Sequence, residues 1–298
     1  MYNKTRICEV CGKELHYSCA SAWRLAEKNH ALCKSCANKK RAKRLNDLTI
    51  LLEETPETYY WIGFLLADGH FDNGKRIVVG LAEHDRDHLE KFAKYIGYKG
   101  TISTMKKYSY NAVYNAVRLS AMDTEVVGKL CEKFDIKSNK TYNPPKSLRW
   151  IPEDLFLCLM AGLIDGDGTI SNFHGRKDAF IRIKQEKSWL PILKEFAKYF
   201  KEEDRVKINK QGYAEVEITG FPKIRELKKK LLEYNLPLMD RKWDKIDIGL
   251  QTRYEKKEEM YHKIKELLGQ KIKQTEIAKI VGVSKSTVTK VKKQIENE

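Results

Sequence analysis

Apolar residues are concentrated in two short runs, 61–69 and 160–168, and each run ends in Asp-Gly. A Thr-Pro-Glu sequence at 55–57 precedes the first run and supplies an N-cap, a first-turn proline and an acid at the positive end of a helix. A Pro-Glu pair at 152–153 opens the second run in a similar way. The pattern therefore predicts two equivalent helices, each ending at its Asp-Gly.

The segments that follow each helix repeat the same order. Alternating apolar and polar residues predict strands, and apolar residues every three or four positions predict amphipathic helices. The first half reads as a hairpin over His70–Leu81, a helix over Asp87–Ile96, strands over Thr101–Tyr108 and Val113–Ser120, and a helix over Met122–Phe134. The second half reads as strands over Thr169–Phe173 and Phe180–Gln185, a helix over Trp189–Phe200, strands over Arg205–Lys210 and Tyr213–Thr219, and a helix over Pro222–Tyr234. The predicted fold class is α+β, with tandem αββαββα repeats related by pseudo-two-fold symmetry.

The last segment has the pattern of a helix-turn-helix. A polar helix over 253–268 precedes a second helix in which Ala278 is small where helices cross, and Gly282 suits a left-handed turn. Ser284 can cap the next helix and Val288 would pack inward. The second helix of such a motif enters the major groove, so we expect its first residues to contact DNA; a plain helical hairpin is the alternative. These residues are Lys285, Ser286, Thr287 and Thr289.

The net charge of +16 is concentrated at the two ends of the chain. Residues 1–50 hold 11 Lys and Arg against 4 Asp and Glu, and residues 251–298 hold 12 against 7. Basic ends on a more balanced centre indicate appendages that bind a polyanion. No run approaches the roughly 18 apolar residues of a membrane span. No apolar signal region follows the first residues either, so we expect a cytoplasmic protein.

Five of the seven cysteines lie within the first 36 residues. They include two Cys-x-x-Cys pairs, formed by Cys8 with Cys11 and by Cys33 with Cys36. Paired thiolates at this spacing predict a structural zinc whose binding supplies the folding energy of a small module. His16 and Cys19 lie between the pairs and are alternative ligands, and reduced structural cysteines are the alternative to a metal site. The basic run 39–44 then favours a phosphate-contacting arm over a solvated helix face.

Small residues line one face of each apolar helix and permit close helix packing. They are Gly63 with Ala67 and Gly162 with Gly166. Such packing would bring Asp68 and Asp167 together at the C-terminal ends of both helices. There the helix dipoles and mutual repulsion disfavour two carboxylates, and a bound Mg²⁺ offsets both effects. We therefore predict that these two acids bind catalytic Mg²⁺ for a displacement at phosphorus.

Over residues 55–248 the sequence resembles the LAGLIDADG homing endonuclease family in its single-chain form, which carries two copies of the motif. The second copy, 160–168, follows the family pattern throughout. In the first copy residues 61–62 are Trp-Ile instead of Leu-Ala, and Leu66 stands where the first acid usually lies. In the family the last acid of each motif binds the metal, so the resemblance implies the same role for the two acids named above.

The resemblance also implies which basic residues act. The family places a basic residue near each active site, after the last helix of each repeat, and Lys140 and Lys242 are the candidates here. Each would position water or stabilise phosphate charge. The resemblance further implies that two four-stranded sheets form a saddle on DNA, with alternate strand residues in the major groove. The candidate readers are Arg118, Arg182, Lys184, Arg205, Lys207 and Asn209.

The leading hypothesis is a monomeric, intron-encoded type of DNA endonuclease that cuts both strands across the minor groove with Mg²⁺ and leaves short 3′ overhangs, as the family does. The zinc module and the helix-turn-helix would extend its footprint on double-stranded DNA. The predicted domains are 1–45, 46–148, 149–250 and 251–298. A non-cleaving transcription regulator and an RNA splicing maturase are the alternative functions on the same fold.

Overall fold

The computed structural model describes residues 4–109, 112–172, 179–246 and 253–296. Its first part is a small module that consists of the hairpin β1 (Thr5–Ile7) and β2 (Glu14–His16), followed by α1 (Ala20–Lys28) and α2 (Lys34–Leu45). The loop of the hairpin closes where Gly12 donates its N–H to the Cys8 carbonyl at 2.9 Å. Gly12 has φ of 70°, a conformation that glycine adopts without steric cost.

Repeat 1 follows as one αββαββα unit. Its elements are α3 (Pro56–Asp68), β3 (Gly69–Asp72), β4 (Arg76–Ala82), α4 (Arg86–Tyr95), β5 (Ser103–Ser109), β6 (Ala112–Met122) and α5 (Thr124–Lys133). The strands form an antiparallel sheet in the order β3-β4-β6-β5. Helix α3 begins as predicted, because the Thr55 hydroxyl accepts the Thr58 N–H at 3.2 Å and Pro56 fills the first turn.

Repeat 2 has the same element order. It comprises α6 (Glu153–Asp167), β7 (Gly168–Asn172), β8 (Ala179–Glu186), α7 (Leu190–Tyr199), β9 (Lys207–Ile208), β10 (Tyr213–Thr219) and α8 (Phe221–Glu233), and a short helix α9 (Asp240–Trp243) follows. The sheet order β7-β8-β10-β9 matches that of repeat 1. The predicted α+β class with tandem repeats is therefore confirmed. In each sheet one face lies in the core and the other carries exposed side chains.

Helices α3 and α6 cross so closely that only glycine fits at the contact. A Cβ atom at Gly63 would lie 1.7 Å from the Leu159 carbonyl oxygen, and one at Gly162 would lie 1.9 Å from the Tyr60 carbonyl oxygen. Both distances are far below van der Waals contact, so any side chain would push the helices apart. Nearly all of both helices is buried in a single core shared by the two repeats.

The predicted strand over Arg205–Lys210 is shorter than expected. Arg205 ends a 3-10 turn, and only Lys207 and Ile208 form β9. Both of these residues are exposed, so the predicted alternation of exposed and buried side chains does not hold there. The reason is a tight turn in which the Asn209 side chain accepts the N–H groups of Gln211 and Tyr213, which ends the strand.

The C-terminal part folds as predicted. It comprises α10 (Arg253–Gly269), α11 (Gln274–Val281) and α12 (Lys285–Glu296). Gly282 adopts the left-handed conformation at φ 71°, and the Ser284 hydroxyl accepts the Thr287 N–H at 3.2 Å. Ala278 and Val288 are buried in a small core with Ile264. In the described part of the chain, none of the helices has the length and apolar character that crossing a membrane requires.

Candidate functional site

The two predicted acids lie at one end of the central helix pair. Asp68 is the last residue of α3 and Asp167 the last residue of α6. At the crossing beside them, a Cβ atom at Gly166 would lie 2.2 Å from the Ala67 Cβ and 3.2 Å from an Asp68 carboxylate oxygen. Asp68 is half-buried and Asp167 is exposed. The helix packing therefore brings the carboxylates to a shared, solvent-accessible place.

The surroundings oppose ionisation of the more buried acid. Burial and the nearby Asp167 carboxylate together raise the pKa of Asp68 to about 6, although Lys242 and Lys140 oppose them. Neither helix gives compensation, because the dipole at a helix C-terminus disfavours negative charge. A pair of carboxylates in this setting is a hard-oxygen donor set with unbalanced negative charge, and it fits a divalent cation such as Mg²⁺.

Both predicted lysines lie beside the acids, in equivalent positions of the two repeats. The Lys140 ammonium donates to the Ala67 carbonyl at 2.7 Å. The Lys242 ammonium lies 2.6 to 3.1 Å from four carbonyl oxygens at the end of α6, including that of Gly166. Burial lowers the pKa of each lysine, and the two acids oppose this effect. The ammonium groups thus cap the helix ends and balance part of the carboxylate charge.

Asp165 is a buried residue of the site that the sequence reasoning did not identify. Its carboxylate accepts the Tyr60 hydroxyl at 2.7 Å, the Met239 N–H at 2.9 Å and the Trp243 indole N–H at 2.8 Å. Burial raises the pKa of Asp165 to about 6, whereas the three donors favour the ionised form. Because Trp243 follows Lys242 directly, this carboxylate fixes the segment that delivers the lysine. Its place as the first acid of the second motif was the available signal.

Gln185 is a second residue that was missed. Its amide donates to an Asp167 carboxylate oxygen at 2.6 Å and orients that acid. The signal was present in the sequence, because Gln185 follows Ile181 and Ile183 on the buried face of β8. A polar residue in line with apolar ones on a strand needs a hydrogen-bond partner, and here the partner is the acid.

The four predicted zinc ligands form one cluster. Cys8, Cys11, Cys33 and Cys36 place their sulfur atoms within 4.8 Å of one another. Tetrahedral zinc with Zn–S bonds of about 2.3 Å separates its sulfurs by about 3.8 Å, and the Cys11 and Cys33 sulfurs are 3.7 Å apart. The Cys33 N–H bonded to the Cys8 sulfur lowers the pKa of Cys8 to about 6, whereas hydrogen bonds with Cys33 and Cys11 raise the pKa of Cys36 to about 12. The four thiols therefore ionise together only when a cation balances their charge. His16 and Cys19 are exposed and lie outside the cluster.

The candidate DNA-reading residues divide into free and engaged side chains. Arg118 and Lys207 project from the exposed sheet faces. Lys184 is exposed but engaged, because its ammonium donates to the Gln211 side chain and lies 4.6 Å from the centre of the Tyr213 ring. Arg182 is also exposed, but its Nε donates to Glu217 at 2.8 Å. Arg205 and Asn209 are held by local contacts. Arg205 donates to the Thr219 hydroxyl, and Asn209 organises the turn described above and donates to Glu215 at 3.0 Å.

The predicted contact residues of the C-terminal module lie at the start of α12. Lys285 and Ser286 are exposed, and Thr287 is partly buried beside the cap. Thr289 is engaged, because its hydroxyl donates to the Gln274 side chain and to the Lys285 carbonyl. The first turn of the helix is therefore the accessible part.

Comparison with known proteins finds one matching family model and several similar solved structures. Residues 253–294 match the helix-turn-helix domain of resolvase. No curated protein sequence gives a significant match to the chain. Among solved structures, the homing endonuclease I-WcaI bound to its DNA recognition sequence is similar, at 14% identity, TM-score 0.48, and coverage of 71% of this chain and 92% of that one.

Two further similar structures are a meganuclease and a domain of DUF199/WhiA. The LAGLIDADG meganuclease I-CpaMI bound to uncleaved DNA is 13% identical, with a TM-score of 0.37 and coverage of 72% of this chain and 92% of the other. The N-terminal LAGLIDADG domain of DUF199/WhiA is 15% identical, with a TM-score of 0.37 and coverage of 68% and 87%.

Proposed function

We propose that this chain is a site-specific endonuclease that hydrolyses a phosphodiester bond in each strand of duplex DNA with a divalent metal. The observation that carries the proposal is the convergence of Asp68 and Asp167 at the ends of two equivalent helices. Each acid is followed directly by the edge strand of a four-stranded sheet with an exposed face. A pseudo-two-fold pair of acids matches the two antiparallel strands of DNA, and the LAGLIDADG-like motifs support the same function.

Each residue of the site has a definite role in this proposal. Asp68 and Asp167 would hold Mg²⁺, which supplies an activated water and stabilises the leaving oxygen. Gln185 keeps the Asp167 carboxylate turned toward the shared position. Lys140 and Lys242 stabilise negative charge at the two helix ends, and the phosphate of the substrate adds to that charge.

The terminal modules would add affinity and footprint. Four clustered thiolates would hold one structural zinc, and the adjoining basic helix α2 would contact phosphates. The helix-turn-helix would place the start of α12 in a major groove. We expect metal analysis of the purified chain to find about one zinc, from the tetrathiolate geometry. A chain that folds normally with no bound zinc contradicts this assignment.

The direct test is cleavage of a randomised duplex library with Mg²⁺, followed by sequencing of the ends. We expect double-strand breaks at a defined site, because both acids are present. Asp167→Asn should reduce the rate by at least about 100-fold or leave a nick, since it weakens the metal ligand set. Asp87→Asn, which changes an exposed acid in the first turn of α4, is the matched control and should cleave normally.

A second candidate function is a DNA-binding regulator that does not cleave. The resolvase-type helix-turn-helix over 253–294 favours it, because that module binds DNA without a role in hydrolysis. Sequence-selective binding with no cleavage in Mg²⁺ or Mn²⁺ would support the regulator. Full cleavage by a variant carrying Asn at both Asp68 and Asp167 would refute the catalytic assignment.

A further inference from the structure

The exposed faces of the two sheets carry different charge. On the sheet of repeat 1, the cations are Arg76, Lys107 and Arg118, and the acid is Asp72. On the sheet of repeat 2, Arg182, Lys184 and Lys207 face the acids Glu186, Glu215 and Glu217. The face of repeat 1 is therefore net positive and that of repeat 2 is balanced. Phosphate binding alone does not account for carboxylates on a face that meets DNA, because phosphates repel them.

The acids of repeat 2 hold an arginine in place. Arg182 on β8 is paired directly with Glu217 on β10, and its Nε donates to the Glu217 carboxylate at 2.8 Å. Glu215 approaches the same guanidinium at 3.7 Å. The guanidinium also lies 4.9 Å from the centre of the Phe180 ring. These contacts fix its plane and engage one edge, and the remaining N–H groups stay available because arginine carries five.

We propose that Arg182 and Glu217 together read a G·C step in the half-site bound by repeat 2; the proposal rests on the proposed DNA binding. A carboxylate accepts hydrogen bonds only, and in the major groove it suits the cytosine amino group better than that of adenine, which has the N7 acceptor beside it. The guanidinium matches the two guanine acceptors. Adjacent strands are about 4.8 Å apart, so side chains paired across them reach the same or neighbouring base pairs.

The pairing also explains why this arginine contributes selectivity instead of general affinity. A free arginine binds any phosphate, whereas one whose charge is balanced by Glu217 gains little from a phosphate, because the nearby carboxylate repels that anion. Repeat 1 lacks such a device at the matching position. The matching pair there is Val78 across from Ser120, neither of which carries charge. The arginine–carboxylate pair that repeat 1 does have, Arg76 with Asp72, lies at the end of its first hairpin instead.

The test is selection of bound duplexes from a randomised library, with the full chain in Ca²⁺ to permit binding. We expect the wild-type protein to select cytosine and guanine at one step within the half-site of repeat 2. Glu217→Gln should reduce discrimination for cytosine there by about tenfold and leave the other positions unchanged. Arg182→Lys should reduce the preference for guanine at the same step, because lysine lacks the bidentate fork.

Glu233→Gln is the matched control, since it removes the same charge from an exposed residue of α8 in the same repeat. If Glu217→Gln only tightens binding to all duplexes equally, with an unchanged base profile, the glutamate is a repulsive charge and the proposal is overturned. A wild-type chain that selects a defined site with no cytosine or guanine preference in this half also overturns it, and leaves the proposed function intact. A wild-type chain that binds no duplex refutes the proposed function itself.

Discussion

The two repeats deliver equivalent acids, but they support them differently. Asp167 is oriented by Gln185, whereas the equivalent strand position in repeat 1 is the apolar Leu81. Lys242 contacts four carbonyl oxygens, whereas Lys140 contacts that of Ala67. The two repeats therefore share the same backbone arrangement around the acids, whereas most of the hydrogen bonds to the site are made in repeat 2.

The position of the first acid in each LAGLIDADG-like motif explains much of this difference. In repeat 2 it is Asp165, which binds three donors, and in repeat 1 it is Leu66, which is buried in the core. A buried carboxylate with full hydrogen bonding fixes its partners in one arrangement, and a leucine fixes only volume. The site of repeat 2 is therefore the more extensively hydrogen-bonded of the two.

The largest effect should come from breaking the frame that both halves share. Gly162→Ala puts a Cβ atom 1.9 Å from the Tyr60 carbonyl, so α3 and α6 must separate. We expect the free energy of unfolding to fall by about 4 kcal/mol or more, measured by denaturant titration. The matched control is Gly128→Ala in α5, where a Cβ would have no neighbour within 4 Å. That change should stabilise by up to about 1 kcal/mol through helix propensity, and equal effects of the two would contradict the close crossing.

An intermediate effect should follow from making repeat 2 like repeat 1. Asp165→Leu leaves the N–H groups of Met239 and Trp243 without their acceptor, whereas the Tyr60 hydroxyl keeps the Pro237 carbonyl at 3.2 Å. We expect a loss of about 3 kcal/mol in unfolding free energy and a change in tryptophan fluorescence as Trp243 moves. Leu66→Met at the equivalent position of repeat 1 conserves volume and should cost below about 1.5 kcal/mol. Similar losses at the two positions would remove the asymmetry.

The smallest effect should come from the ionisation of Asp68. Burial and Asp167 raise the pKa of Asp68 from 3.8 to about 6, so the folded state favours the protonated form. This contribution is present at low pH and is lost as the pH rises from about 4 to about 6. In metal-free buffer at pH 7, Asp68→Asn should therefore raise the unfolding free energy by about 1–2 kcal/mol.

The same variant sharpens the metal assignment. Mg²⁺ should stabilise the wild-type protein and have less effect on Asp68→Asn, because one carboxylate ligand is gone. Thermal unfolding with and without Mg²⁺ at pH 5 and pH 7 measures both effects. A variant that is less stable than the wild-type protein at pH 7 without metal would show that Asp68 is stabilised in its charged form.

Much of this molecule could be predicted because its signals are local or repeated. The two Asp-Gly sequences indicate where helices end, and the cysteine spacing indicates a metal site. Gly282 likewise indicates a left-handed turn. The predicted strand over Arg205–Lys210 is too long, because alternation in a short polar segment does not reveal a side-chain turn such as that of Asn209. The roles of Asp165 and Gln185 depend on partners far away in sequence, and no local pattern gives those partners.

The central hydroxyl of Tyr60 makes the two halves of this chain non-interchangeable. Tyr60 belongs to repeat 1, yet it serves the buried carboxylate of repeat 2, and the matching position in α6 is Leu159. A homodimer assembled from two copies of residues 149–250 would set each Asp165 against a leucine in place of a phenol. Such a homodimer would keep the glycines at the helix crossing but lose the hydrogen bond between Tyr60 and Asp165. A symmetric version of the protein therefore requires Leu159→Tyr to restore that bond.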